Sequence, residues 1–304
     1  MKHFRKEILS IILIVFISVN ATCQDKVGSV SDSDVKVEKR KKKRKKKYKL
    51  PNIDLSHWKV TLPIKNDAGK PYEIEPPEIF DFASNPVAKP YMYIDSTKGA
   101  IVFHAMPTKS TTRNTKYSRS ELREQMVPGN NNVNWTFAQG GNLKGKIQME
   151  QTTKDAEGKY HRTIIMQIHG RLTNEQRDLI GQDDNNAPPI LKIYWDKGKV
   201  RVKTKVLKNL NASNMELLHE DAWGDDEGFS FEQEVGFRKF TLEVQVSEGK
   251  MVVILNGNEY KVYENIHMRR WGIFENYFKA GNYFQSRDEG SFSKVKFYDL
   301  EVSH

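Results

Sequence analysis

A single cysteine, Cys23, in 304 residues excludes any disulfide within the chain, so the fold must rest on its hydrophobic core. Metal-ligand patterns are missing as well. His57, His104, His161, His219 and His267 show no paired ligand spacing, and no cysteine cluster stands beside them, so no catalytic metal and no cofactor is implied. Long apolar runs are scarce. The one at 8–19 is too short to span a bilayer comfortably; with Lys2, Arg5 and Lys6 before it and A-T-C-Q after it, it reads as an export signal over 1–24. Cys23 sits where a bacterial lipoprotein would carry its lipid, although Asn20, Ala21 and Thr22 fit that motif poorly. Two destinations follow, a lipoprotein attached to the outer membrane or cell surface through Cys23, or free secretion. There is also no Rossmann-type alternation of strand and helix, no repeat of fixed period and no sign of a second domain.

Charge, by contrast, is plentiful but unevenly placed. Residues 1–50 hold 15 of the 49 Lys and Arg and 5 of the 39 Asp and Glu, so from 51 onward the counts are 34 and 34. The formal net charge of +10 therefore belongs to the N-terminal segment, chiefly the unbroken basic run 39–47. Blocks of like charge repel themselves, and 25–50 is expected to be a disordered basic linker. An export signal and a neutral body argue against nucleic acid as a partner. The body, 51–304, is expected to be one domain and a monomer.

Within that body the strands recur. Alternating or apolar runs at 100–105, 117–126, 146–152, 162–169, 191–195, 199–206, 240–246, 251–255, 259–263 and 291–302 are separated by Gly-, Asn- and Asp-rich turns. One helical turn is expected near 77–82 and another in T-N-E-Q-R-D-L-I, inside a polar insertion at 171–189 closed by Pro188 and Pro189. About a dozen strands and few helices predict an all-β, antiparallel two-sheet sandwich of jelly-roll type with a concave cleft.

Three stretches sort ionisable groups from apolar ones by strand parity. In 117–126, Tyr117, Arg119, Glu121, Arg123 and Gln125 share a face opposite Leu122 and Met126. In T-I-I-M-Q-I-H-G, Gln167 and His169 face away from Ile164, Met166 and Ile168. In N-Y-F-K-A-G-N-Y-F-Q, Tyr277, Lys279, Tyr283 and Gln285 face away from Phe278, Ala280 and Phe284. Taken singly, each is explained by a sheet with one solvated face, His169 by a structural histidine and Tyr283 by a rim aromatic. Among them two Arg, a Glu, a Gln, a His, a Lys and two Tyr could converge on one cleft, a set suited to an anionic sugar.

The chemistry such a set could perform on a polyuronate is β-elimination. The C5 hydrogen beside a carboxylate is very weakly acidic until that carboxylate is neutralised, which Arg119, Arg123 and Gln167 can do. A base near C5 and an acid near the glycosidic oxygen are then needed; His169 titrates near neutrality, and Tyr283 can serve if Lys279 or an Arg lowers its pKa.

At this point the residues resemble a family. R-S-E-L-R-E at 119–124, Q-I-H at 167–169 and Y-F-K-A-G-N-Y at 277–283 resemble the three signature blocks of polysaccharide lyase family 7, the alginate lyases with a β-jelly-roll fold, and L-S-H-W-K-V-T-L-P at 55–63 is similar to the start of that domain. The resemblance implies alginate as the polymer, Arg119, Gln167, His169 and Tyr283 as catalytic residues, and Glu121, Arg123, Lys279, Tyr277 and Gln285 as substrate-binding ones. Tyr is the base and acid for mannuronate in this family, and His the base for guluronate. Ile168 in Q-I-H is similar to members accepting guluronate-containing blocks. Phe284 stands where the family commonly has Asn, on the core-facing parity.

A glycoside hydrolase of similar shape would need two carboxylates across the scissile bond, and no Glu here is followed two positions later by Asp. A non-catalytic carbohydrate-binding module would not need a His and a Tyr opposite an Arg–Gln pair. The insertion at 171–189 directly follows the Q-I-H strand and leaves two alternatives open: a wall at one end of the cleft, which would favour exolytic cutting, or a mere surface loop.

Overall fold

The computed structural model describes residues 48–108 and 116–304. The export signal over 1–24, Cys23 and the linker over 25–50 lie outside the described residues, apart from 48–50. Alternation builds the strands: in K-F-T-L-E-V-Q-V-S the side chains of Phe240, Leu242, Val244 and Val246 are buried while their neighbours reach solvent.

In chain order the strands are β1 (Asn52–Ile53), β2 (Trp58–Lys65), β3 (Pro71–Ile74), β4 (Met92–Asp95), β5 (Ala100–Ala105), β6 (Arg119–Glu124), β7 (Trp135–Thr136), β8 (Gly141–Thr152) and β9 (Thr163–Arg171). The short helix α1 (Asn174–Leu179) separates β9 from β10 (Asn186–Asp196) and β11 (Lys199–Leu207). After α2 (Asn214–Leu217) come β12 (Trp223–Asp225), β13 (Phe229–Glu234), β14 (Lys239–Ser247), β15 (Lys250–Leu255) and β16 (Glu259–Tyr263). The helix α3 (Ile266–Trp271) then precedes β17 (Glu275–Phe284) and β18 (Ser293–Ser303).

Two sheets result. One runs β16-β15-β14-β8-β18-β5-β4 with β1 beside β18, and the other β12-β11-β10-β9-β17-β6-β2-β3 with β13 beside β11 and β7 beside β17. The long pairings are antiparallel and only the two-residue β1 runs parallel to its neighbour. Strands distant in sequence lie side by side, which is the jelly-roll arrangement expected. Phe103, Ile147 and Phe297 of the first sheet and Leu122, Met166, Ile168 and Phe278 of the second belong to one buried cluster. Each such side chain contributes roughly 1.5–3 kcal/mol by leaving water, the source of stability left to a chain without a disulfide.

The structure departs from simple alternation in three places that matter. The glycine-rich run before Lys146, expected to be a turn, is already strand in β8; a Cβ on Gly145 would lie 2.7 Å from Met166 Cε, so the glycine makes room for a core side chain of the facing sheet. Pro188 and Pro189 do not end the insertion but sit within β10, where the pairing to β9 shifts register twice and no regular ladder hydrogen bond is demanded. On β9 itself Ile165 and Met166 both join the core cluster while Ile164, equally buried, does not. That bulge corrects the expectation that Ile164 faces the core with Met166 and Ile168.

The last residue is tied in from below. His304 Nε2 lies 2.6 Å from Oε1 of the buried Glu124, and its Nδ1 lies 3.0 Å from the Gly140 carbonyl. Burial alone would lower its pKa, but the hydrogen bond and charge of Glu124 outweigh it and hold the imidazole above the ordinary value. A pKa raised on folding stabilises below the unfolded histidine value of about 6.5 and is lost as pH rises through the raised one. The melting-temperature deficit of His304→Leu should therefore be larger at mildly acidic than at alkaline pH; a deficit growing toward alkaline pH would contradict the pairing.

Candidate active site

Glu121 is the centre of the polar face of the second sheet. On β6, alternation sends Leu122 into the core and Arg119, Glu121 and Arg123 to the opposite face. The Glu121 carboxylate has no solvent exposure; Gln167 Nε2 on β9 donates to its Oε1 at 2.6 Å, while Lys279 Nζ on β17 (2.5 Å) and Arg119 Nη1 (3.3 Å) both reach its Oε2. One carboxylate thus joins three adjacent strands. A buried ion persists only when paired and hydrogen-bonded, and Glu121 meets both conditions. Gln167 and Lys279 are themselves 3% and 5% exposed, which a merely solvated sheet face does not explain.

Backbone geometry makes the cluster possible. Register pairs Tyr277 with His169, Lys279 with Gln167, Gly281 with Glu121 and Tyr283 with Arg119. Gly281 has φ +142°, and a Cβ there would lie 2.8 Å from the Ser120 carbonyl and 2.9 Å from the Glu121 Cα. Only glycine lets β17 approach β6 this closely. Beyond it β17 carries an extra residue relative to β9, so Tyr283 stands opposite Ile164, while the regular pairing with β6 keeps it on the polar side beside Arg119.

The two candidate proton-transfer residues flank that row. His169 Nδ1 is 2.9 Å from the Gly170 carbonyl, an acceptor only, so Nδ1 carries the hydrogen and Nε2 keeps its lone pair. Burial, then the charge of Lys279, pushes the imidazole pKa down to about 3. This corrects the expectation of a group titrating near neutrality: at neutral pH His169 is uncharged. Tyr283 also departs from expectation. Arg119, with its guanidinium carbon 4.1 Å from the ring centroid, pulls the phenol down, as does the backbone of Tyr117, but burial is the larger effect and the pKa is raised. The phenol stays protonated.

Tyr277 and Arg123 act behind His169. The Tyr277 ring stacks on the imidazole (5.2 Å between centroids, 11° between planes), and the Arg123 guanidinium lies 4.1 Å from the Tyr277 centroid. Arg123 is in turn held by the Glu124 carbonyl, by the side chain and carbonyl of Asn131 and by the Asn134 side chain. Gln285 lies just past β17, its amide donating to the Tyr283 carbonyl at 3.1 Å. Lys279 is lowered to about 8, by burial first and then by Arg119, with Glu121 opposing.

Of the nine site residues read from the sequence, the structure brings eight onto one face of three neighbouring strands and leaves Gln285 at its margin. A groove opens over Lys59, Glu73, Tyr117, Arg119 and Lys279. Lys59, 2.6 Å from Glu73, was not among the expected residues; W-K-V-T in β2 carries the same parity signal and aligns Lys59 with Arg123. Lys192 and Tyr194 were missed likewise, although Leu191 and Ile193 alternate with them and register sets Lys192 beside Gln167. The insertion bears α1, closed by a Thr173–Gln176 capping box. It follows β9 directly, two residues past His169.

A jelly-roll sandwich whose cleft sheet carries this partly buried Arg–Gln–His–Tyr face defines a class, the polysaccharide lyases. The family model described as alginate lyase matches residues 53–304. A tyrosine-to-phenylalanine variant of the family 7 alginate lyase A1-II′, solved with product (GGG), is 30% identical, with a TM-score of 0.66, covering 83% of this chain and 97% of that one. The same enzyme with His→Asn and Tyr→Phe replacements, solved with substrate (GGMG), is also 30% identical, with a TM-score of 0.64 over 83% and 94% of the two chains. An alginate lyase of Klebsiella pneumoniae is 24% identical over 83% of this chain and 89% of its own length. The chain belongs to the alginate lyase family.

Proposed function

We propose that this lyase cleaves alginate by β-elimination with His169 as base and Tyr283 as acid, and that it acts best on guluronate. The observation that carries the reading is the division of protonation states across the carboxylate-binding row. A neutral imidazole with its Nε2 lone pair lies at the Tyr277 end of β17 and a protonated phenol at the Tyr283 end, with Gln167 beside Lys279 between them and Arg119 against the phenol ring. Environments that drive two titratable groups apart assign the base and the acid.

Arg119 and the second amide hydrogen of Gln167 bind the uronate carboxylate and draw charge from C5. His169 Nε2 takes the C5 proton; its electron pair forms the C4–C5 double bond, the C4–O bond breaks, and the Tyr283 hydroxyl protonates the departing oxygen. An imidazole at pKa about 3 is a weak base in the free enzyme. Burial is the larger part of that depression; the incoming carboxylate offsets the smaller part that comes from Lys279, Arg119 and Lys192 and so raises the basicity of the imidazole when the substrate is in place. Anti elimination, the geometry of guluronate, calls for a base distinct from the acid, which His169 paired with Tyr283 would supply. The A1-II′ complex carrying both a His and a Tyr replacement is consistent with those residue types performing the chemistry.

The test is ultraviolet absorbance from the new conjugated double bond. Polyguluronate should give faster growth than polymannuronate. Equal or reversed rates would overturn the assignment of roles, and binding without any absorbance would identify a carbohydrate-binding module instead. The basic and apolar pattern of residues 1–24 supports export, which mass spectrometry of the mature N-terminus would decide.

A further inference from the structure

Among the described residues several cations of the cleft face are matched to acids in the protein, and Lys192, beside the catalytic row, is not. Lys59 is paired with Glu73, Lys279 with Glu121 and Lys205 with Asp225. The side chain of Lys192, half-buried on β10, makes no hydrogen bond or ion pair with a described residue. Its own alternation fixes its direction: Leu191 and Ile193 are fully buried in the core, so Lys192 projects to the side that carries Gln167, its partner across the β9–β10 pairing. On its other side register places Lys203 of β11. The ammonium is near enough to the imidazole of His169 to depress it. Burial, opposed by Asp225 and reinforced by Lys205 and Lys203, lowers the pKa of Lys192 itself.

An unpaired cation in a partly dehydrated site carries an unrecovered desolvation cost, and an anion that arrives with the ligand removes it. Strands are spaced about 4.8 Å apart, close to the length of one pyranose unit. A chain lying across the strands with one carboxylate at Gln167 and Arg119 therefore brings the next sugar over β10. We propose that Lys192 binds the carboxylate of the uronate adjacent to the one undergoing proton abstraction, as an anchoring residue that sets affinity for the charged polymer and not the rate of the chemical step. This rests on the assignment of Gln167 as the carboxylate-binding residue at the reacting sugar.

The experiment compares the full chain with Lys192→Met and Lys192→Arg on a uronate oligosaccharide. Lys192→Met should raise KM about tenfold with kcat within about twofold, and its KM should rise less steeply with salt. Lys192→Arg should keep KM within about threefold of the parent, since a cation remains. An unchanged KM in Lys192→Met, or a fall in kcat with a lowered melting temperature and no change in salt dependence, would overturn the anchoring role. Calorimetric binding of the same oligosaccharide gives an independent readout: affinity about tenfold weaker in Lys192→Met supports the proposal, and equal affinity sinks it. Should the parent enzyme bind but produce no unsaturated product, the elimination reading fails while the calorimetric comparison still decides for Lys192.

Discussion

Tyr283→Phe should lower turnover on polyuronate by a factor on the order of 100 or more while leaving the melting temperature nearly unchanged. The substitution removes one oxygen and keeps the ring, so the contact with Arg119 at 4.1 Å and the edge-on packing against Tyr117 at 6.4 Å persist. What disappears is the proton for the leaving oxygen. Because burial raises the phenol pKa, the donor form persists past the ordinary tyrosine range, so an alkaline loss of activity in the parent should follow Lys279, at about 8, and not the phenol. Parallel kcat and thermal-melt measurements check this. A variant that keeps its turnover would remove Tyr283 from the proton transfer, and one that fails to fold would make the hydroxyl structural.

Glu121→Leu should be the most damaging change to stability on this face, costing about 3–5 kcal/mol, the range found when one partner of a buried ion pair is removed. The isosteric volume does not help, because Lys279, Arg119 and the Gln167 amide all lose an acceptor at once. Lys279 responds by losing its proton, its pKa already being about 8 in the intact site. Adding Lys279→Met to Glu121→Leu should return part of the loss by removing the stranded cation. Urea unfolding of the single and double variants measures both effects. A single-variant loss below about 1 kcal/mol would mean that water reaches the cluster and replaces the carboxylate.

Much of this site was legible before any coordinates. Period-two parity placed Arg119, Glu121, Gln167, His169, Lys279 and Tyr283 on one face because those strands are regular where these residues occur. It failed where pairing is irregular: the bulge at Ile165 and Met166 turns Ile164 out of the core, and no one-dimensional pattern announces an extra residue between two sheet neighbours. Gly145 and Pro189 were read for their own conformational habits, whereas the facing Met166 and the shifted β9–β10 register decide their places. The helix α3 also escaped, being six residues long and carrying Trp271 into the core beside Phe274. Protonation was the least legible property. His169 and Tyr283 looked like ordinary titrating groups near cations, and only their depth shows that dehydration outweighs the cations at Tyr283 and acts with them at His169.

The close approach at Gly281 also sets the phase of everything after it on that strand. Deleting one residue between Lys279 and Tyr283 would exchange the two parities downstream, swinging the phenol inward and presenting the ring of Phe284, a side chain with no proton to give, to the bound sugar. Sequence drift in this short span is therefore confined to substitutions that keep its length, whatever freedom the surrounding loops have to grow or shrink.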